Sequence, residues 1–571
     1  MKGTMRKWLG LGLAVIMLIS LSGCGPTKEQ KPADTGQPAE TGKPADTPAK
    51  EEKPGNTEAA PSAEQVLKIS IRNEPGALDP WFNNNGEASS IMVALHEPLL
   101  RPDGENGEKS KPALLEEYTY NADKTVHTLK LRKGAKWQDG SEVTAEDIVY
   151  SFQRALDGTL ASEKAYQYYE ILNAEAVFKG EKKPEELGVK QLDGQTIEIT
   201  TTLPCDYFEE MLKSSGMAPV QKKAAEEHKD LYGSEVEKIV ASGPFKLTEW
   251  THKNSMVLER NENYWDADNV SLNKIEITIT NDANSIIGMY QNQELSLMRL
   301  GSDLLEKYKD AKGFSTHKRL KVTFIEFNPR NEFLSNIKIR EALSIAFDRK
   351  QFAGKIMKNE KLAAYGLVPY GVKGEKDGDF REQQGDMVVD SATDPAALER
   401  AKKLLEEGLK ELGKDKAELE KGFVIQCLEF GKLQAQAIQN MWKESLGIEI
   451  PVTVLEFNII LPMLQKGTFD CVIGGGQDSP YRDPQGFMEF IYAEGKWDNQ
   501  EFKQLVEKAH NQVGDERIAS WKKIEKMVLD NFIYIPQVYA ENNWVVQDNV
   551  EGIHIYPCGY EFDYKDVKIM K

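Results

Sequence analysis

The chain has 571 residues, 72 of them Lys or Arg against 91 Asp or Glu, for a formal net charge of −19. That balance excludes whole-surface attraction to nucleic acid, whose phosphates need a concentrated basic face, and disfavours docking on anionic lipid through the folded body. Charged residues at 29% and apolar ones at 40% suit a soluble globular protein, long enough for three or four domains at roughly 150 residues each.

Lys2, Arg6 and Lys7 open the chain as a basic run, and 8–21 is an apolar stretch too short to span a bilayer comfortably. It stops at Leu21-Ser22-Gly23-Cys24, which resembles the lipobox of bacterial lipoproteins. The resemblance implies cleavage before Cys24, lipidation of its sulfur and anchoring of the mature chain at the outer face of the cytoplasmic membrane. Residues 1–23 then read as a lipoprotein signal peptide, and their loss takes the charge to −19 − 3 = −22. Residues 24–65 read as anchor and tether: 25–61 is rich in Pro, Lys, Glu, Thr, Ala and Gly and lacks the large apolar residues that offset ordering entropy.

Folded sequence begins near Val66, where Leu67, Ile69 and Ile71 alternate with Lys68, Ser70 and Arg72 as in a half-buried strand. A second alternating strand covers 125–131. Thr144 with Asp147 marks a helix N-terminus whose apolar face carries Ile148, Val149, Phe152, Ala155 and Leu156. Strands recur at 196–201, 245–250, 256–260 and 274–280. From Asp394 onward the pattern alternates: a helix with Leu398, Ala401, Leu404, Leu405 and Leu409, a strand at 423–430, a helix at 433–446, a strand at 450–456, a short helix at 458–465 and a strand at 469–473. A helix over 515–530 and a strand over 533–539 follow. Such alternation predicts a parallel sheet with helices on both faces.

In sheets of that kind ligands bind beyond the carboxyl ends of the strands. The strand at 469–473 runs into Gly474-Gly475-Gly476-Gln477-Asp478. Three glycines let a ligand approach the main chain, and the aspartate can take a positive charge, which suits an extended peptide with a free amino terminus. A glycine-rich turn capped by Asp478 is the equal alternative. No GxSxG, HExxH or CxxC pattern occurs, so neither an enzyme nor a metal or other cofactor is expected. With Cys24 lipidated, Cys205, Cys427, Cys471 and Cys558 read as buried free thiols, the pair Cys427 and Cys471 being the one to test for a disulfide, since both fall in strands of one sheet.

Several segments resemble the extracytoplasmic oligopeptide-binding proteins of ABC importers (solute-binding protein family 5): NEPGALDP, HTLKLRKGAKWQDGSEVTAEDIVYSFQRAL, SGPFKLTEW with LERNENYW, NIKIREALSIAFDRKQF, and MWKESLGIEI with LQKGTFD. They span 66–571 in consistent order. The resemblance implies an α/β, two-lobed periplasmic-binding-protein-like clam-shell of three domains, the first discontinuous: 66–98 with 230–328 and 540–571, then 99–229 as an extension of the first lobe, and 329–539 as the second lobe. It implies a lipid-anchored, monomeric receptor that encloses short peptides and delivers them to the permease subunits. The alternatives are a non-peptide solute (a nickel chelate, haem or a saccharide) and a surface sensor without transport. Asp478 matches the family's amine-binding aspartate in GW-x-x-D-Y, and Gly474, Gly475, Gly476 and Gln477 flank it. Here glycine stands for the usual tryptophan and Ser479 for the tyrosine. Two extra residues precede Asp483-Pro484, which makes Asp483 a rival anchor. Tyr169 matches a pocket-lining tyrosine, and Asn84 and Asn85 lie in the opposing rim loop 83–87.

Overall fold

The computed structural model describes residues 64–571 except 83–85, 161, 163–164, 302, 391–393, 395 and 494. The signal segment, Cys24, most of the tether, and Asn84 and Asn85 lie outside the described residues. No helix among the described residues is long and apolar enough to cross a membrane.

The first lobe contains two four-stranded sheets. In one, Val66–Ile71 pairs in parallel with Lys274–Ile279, which continues antiparallel through Ser255–Arg260 to Phe245–Thr251. The other orders Leu115–Tyr120, Val126–Leu131, Thr196–Thr200 and Val189–Gln191, all antiparallel. Leu67, Ile69 and Ile277 of the first sheet share one apolar core with Leu129, Ile197 and Ile199 of the second. The alternation in the sequence puts these side chains inward and their charged neighbours outward.

The helix Ala145–Ala155 starts where the sequence places it. Thr144 Oγ1 accepts from Asp147 N at 3.2 Å and Asp147 Oδ2 accepts from Thr144 N at 3.0 Å, a reciprocal cap. Arg101 ties the C-terminal segment into this lobe. It lies fully buried, with Nη2 2.6 Å from Glu97 and Nη1 2.5 Å from Asp563.

The second lobe is built on a six-stranded sheet, ordered Leu297–Leu300, Tyr534–Val546, Phe314–Phe327, Cys471–Asp478, Ile425–Cys427 and Val452–Val454. Only the last three strands are mutually parallel. The expected parallel sheet is thus corrected to a mixed one, because the local β-α-β alternation says nothing of the long strands that join it from the first lobe. Phe314–Phe327, the longest strand, was not anticipated. Tyr534–Val546 runs well past the expected 539. The expected strand at 423–430 shrinks to Ile425–Cys427, since Glu429–Gly431 turns at once into the helix Lys432–Leu446. The helix Gln500–His510, capped by the Asn499 side chain, is a further addition.

The strands Phe314–Phe327 and Tyr534–Val546 pass from one lobe to the other. Their pairing is regular from Phe314↔Val545 to Lys318↔Glu541, breaks, and resumes at Val322↔Tyr539. A second irregularity lies between Thr323↔Val538 and Phe324↔Pro536, leaving Gln537 as the extra residue beside a proline with no N–H to donate. Beyond the first break, Leu320, Val322 and Phe324 join one apolar layer of the second lobe, and Ile325 and Phe327 the other.

Replacing Arg101 by Leu leaves the buried Glu97 and Asp563 carboxylates without their cation. It should lower unfolding stability by about 3–5 kcal/mol, read from the urea midpoint.

Candidate ligand-binding site

Strand direction locates the site. Phe314–Phe327 enters the second lobe from the first, and Cys471–Asp478 runs antiparallel to it, with Asp478 opposite Lys321. The carboxyl end of that glycine-bearing strand therefore faces the first lobe, as do the ends of the parallel strands Ile425–Cys427 and Val452–Val454.

Gly474 to Asp478 form part of the strand, where the sequence suggested a segment following it. One edge pairs with Phe314–Phe327, through Gly475↔Phe324 and Gly476↔Thr323. On the other edge the neighbouring strand ends at Cys427↔Ile473. Beyond that point no strand among the described residues pairs with it, so a cleft-facing run of main-chain donors and acceptors is left for another extended chain.

The glycines have separate roles. Gly474 has φ +89°, the left-handed region that favours glycine, and a side chain there would meet Gly431 at 3.5 Å and the Phe430 ring at 3.7 Å. A side chain on Gly476 would meet the Val322 carbonyl at 2.7 Å. A side chain on Gly475 would meet only the Phe324 ring, at an ordinary contact distance of 3.9 Å. Gln477 is buried and donates to Gly486 O at 2.7 Å, which supports the loop that follows.

Asp478 and Asp483 differ sharply. The Asp478 side chain is 35% exposed and its nearest cation, Arg319 Nη2, is 3.8 Å away, beyond hydrogen-bond range. Asp483 is buried, bound by Arg517 through two hydrogen bonds of 2.7 and 2.8 Å, and caps Gln485 N at 2.9 Å. Arg517 also donates to Gln485 Oε1 at 2.7 Å. Asp483, the rival anchor, is thus fully engaged by its own lobe, and Asp478 is the carboxylate with capacity for a ligand cation.

The loop after Asp478 reaches across to the first lobe. The Tyr481 ring stacks on Tyr207 with centroids 4.5 Å apart and planes at 11°. Gln485 Nε2 donates to Tyr207 Oη at 3.2 Å, and Gly514 N to Asp206 Oδ2 at 2.6 Å. Lys124 pairs with Asp206 on the first-lobe side. These contacts hold the lobes together on one flank of the cleft. Sequence reasoning missed Tyr207 and Tyr481. The signal available for Tyr481 was an aromatic side chain in the short loop between Asp478 and Asp483.

Tyr169 is half-buried and its ring packs on Phe178 at 6.0 Å, within the first lobe. Burial, helped by Glu175, pushes its hydroxyl up to about 12. Exposed aromatic and aliphatic groups lie just after the carboxyl ends of the two neighbouring strands. Phe430 (71% exposed) and Leu433 (62%) follow one parallel strand, and Phe457 and Ile459 follow the other, beside the exposed Val454. A band of exposed apolar side chains at the carboxyl edge of a sheet is the usual form of a ligand wall.

Cys205, Cys427 and Cys471 are buried free thiols and Cys558 is a partly buried one. Cys427 and Cys471 do share the sheet, but Cys427 pairs with Ile473 and Cys471 with Ile425. No cluster among the described residues could hold a metal ion.

The sequence profile described as bacterial extracellular solute-binding proteins, family 5 Middle, matches residues 109–499. The dipeptide-binding protein DppE of Bacillus subtilis is 28% identical over 569 residues, covering 98% of each chain. The oligopeptide-binding protein OppA of the same organism is 29% identical over 508 residues, 86% of this chain and 90% of its own. Among solved structures, OppA of Listeria monocytogenes bound to peptide superposes with a TM-score of 0.71 at 25% identity, over 89% of this chain and all of that one.

Two measurements test this geometry. Arg517→Leu should cost about 3–5 kcal/mol of unfolding stability, while Asp478→Asn changes it by less than about 0.5 kcal/mol. His510 is buried, which by itself lowers its pKa, but Glu489 at 2.7 Å outweighs burial and the net shift is upward. A raised folded pKa stabilises fully below the unfolded value of about 6.5 and loses that contribution as pH climbs through the folded value. The stability advantage over His510→Gln should therefore shrink as pH rises above about 6.5.

Proposed function

The chain belongs to the bacterial extracellular solute-binding proteins of family 5, and on that premise we propose that it captures short peptides between its lobes and delivers them to an ABC importer. The observation that carries this reading is the unpaired outer edge of Gly474 to Asp478, ending in a carboxylate whose nearest cation stands 3.8 Å away. A peptide laid along the edge completes the main-chain hydrogen bonds as an added strand, and its α-ammonium meets Asp478. The relatives named for dipeptide and oligopeptide binding support the same ligand class.

The wall formed by Phe430, Leu433, Phe457 and Ile459 favours peptides with apolar side chains, since covering each of these groups removes apolar surface from water. Gly475 gives one side chain a place where the family pattern carries a tryptophan. The reading is of binding and release.

In this reading residues 1–23 direct export and Cys24 carries the lipid, so that the tether to residue 65 holds the lobes off the membrane. The domain limits at 98/99, 229/230 and 539/540 are part of the same proposal; the expected limit at 328/329 gives way to one inside Phe314–Phe327, because Leu320, Val322, Phe324, Ile325 and Phe327 pack in the second lobe. So is a monomer, since one chain contains both walls of the cleft.

Calorimetry with tri- and tetrapeptides tests the anchor. Asp478→Asn should weaken binding by roughly thirtyfold to several-thousandfold, the cost of removing one partner of an enclosed charge pair. N-acetylation of the peptide should impose a comparable loss on the native chain and little further loss on the variant. Equal affinity of native and variant chains for the free-amine peptide would sink the anchor. Native mass spectrometry of the gently purified chain tests the ligand class, and a single non-peptide mass in place of a set of peptides would overturn it.

A further inference from the structure

Asp206 and Tyr207, neighbours in the first lobe, both reach the second. The Tyr207 ring stacks on Tyr481 at 4.5 Å, its hydroxyl accepts from Gln485 Nε2 at 3.2 Å, and the Arg517 guanidinium carbon lies 5.5 Å from its ring centroid. Tyr481 in turn packs against the apolar core of the first lobe.

The Asp206 contact completes a helix. Gly514–Asp530 is preceded by Val513, whose side chain cannot cap it. The first N–H groups of a helix have no intrahelical partner and carry the positive end of its dipole. Asp206 Oδ2 accepts from Gly514 N at 2.6 Å, so the missing acceptor comes from the opposite lobe, while Oδ1 is held by Lys124 of its own lobe. Arg517 and Lys373 of the second lobe also feel the Asp206 charge. Tyr207 is 4% exposed and the Asp206 side chain 11%, so with the lobes joined neither has surface left for a ligand. Their contribution is independent of what fills the cleft.

We propose that Asp206 and Tyr207 are positioning residues that act as a latch: they join the lobes before any peptide is bound and set, by one common factor, the affinity for every peptide. If only the joined form binds tightly, the apparent dissociation constant is the intrinsic one divided by the joined fraction. A cap, an aromatic stack and a hydrogen bond, each worth about two- to tenfold in that equilibrium, keep the fraction high. Release requires these contacts to break, so their loss shows in the dissociation rate.

Hydrogen exchange on the native, peptide-free chain tests the latch without a variant. The Gly514 amide should exchange at least about tenfold more slowly than in an unstructured peptide, and unprotected exchange overturns the latch. In small-angle scattering, the double variant Asp206→Ala with Tyr207→Ala should have a larger radius of gyration than the native chain when both are free of peptide. Its affinity for tri-alanine, Leu-Ala-Leu and Lys-Ala-Lys should fall by the same factor, about tenfold to a hundredfold, carried by the dissociation rate. Tyr207→Phe keeps the stack and loses only the Gln485 bond, and should recover most of that loss. An unchanged radius or unchanged affinity overturns the latch. So does a loss that differs between the three peptides by more than about fivefold, since it would place Asp206 or Tyr207 against the ligand. The affinity measurements rest on the peptide reading; the exchange and scattering measurements do not. A native chain that binds none of the three peptides counts against that reading alone, and exchange and scattering still decide the latch.

Discussion

Two strands must stay hydrogen-bonded while they belong to two bodies at once. Phe314–Phe327 and Tyr534–Val546 form the longest ladder in the molecule, and every other strand of the second lobe is added outward from Phe314–Phe327. The pairing of this ladder lapses between Lys318↔Glu541 and Val322↔Tyr539, where the strands pass from one lobe to the other. Arg319 sits inside that lapse, its Nη2 3.8 Å from Asp478 Oδ2, so Asp478 stands immediately beside the break in pairing. The position of the cleft follows from the direction of these two strands.

Charge pairing divides the work within a few residues. Asp483, held by Arg517, fixes the loop and lets Tyr481 and Gln485 reach Tyr207 in the opposite lobe. A buried carboxylate bound at both oxygens has little capacity left for another cation. Asp478, five residues earlier, faces solvent with only a loose cationic neighbour. Desolvation on enclosing a ligand would strengthen the attraction of such a group for an ammonium. One aspartate builds the seam and the other stays exposed.

Much of this was legible in the chain. Alternation at Leu67, Ile69 and Ile71 and across 125–131 predicts the first-lobe strands because a half-buried strand needs it. Thr144 and Asp147 announce their helix by the reciprocal cap. The helices at 433–446 and 515–530 follow from apolar spacing that only one face of a helix can satisfy. The site was legible as far as the glycines and Asp478. It was not legible that the glycines continue the strand, because a three-glycine run carries no alternation and its pairing partner lies some 150 residues earlier, at Val322 to Phe324.

The sequence by itself determined the α/β character, the elements with strong local periodicity and the carboxylate at the end of the glycine run, since each depends on interactions between residues close in the chain. Tertiary structure alone decided the mixed direction of the central sheet, which edge of the glycine strand is free, and which aspartate is available. Each of these depends on a partner distant in sequence: Phe314–Phe327 for the pairing, the short strand ending at Cys427 for the open edge, and Arg517 for Asp483. Local spacing carries no information about such partners, because they are chosen by the packing of whole lobes.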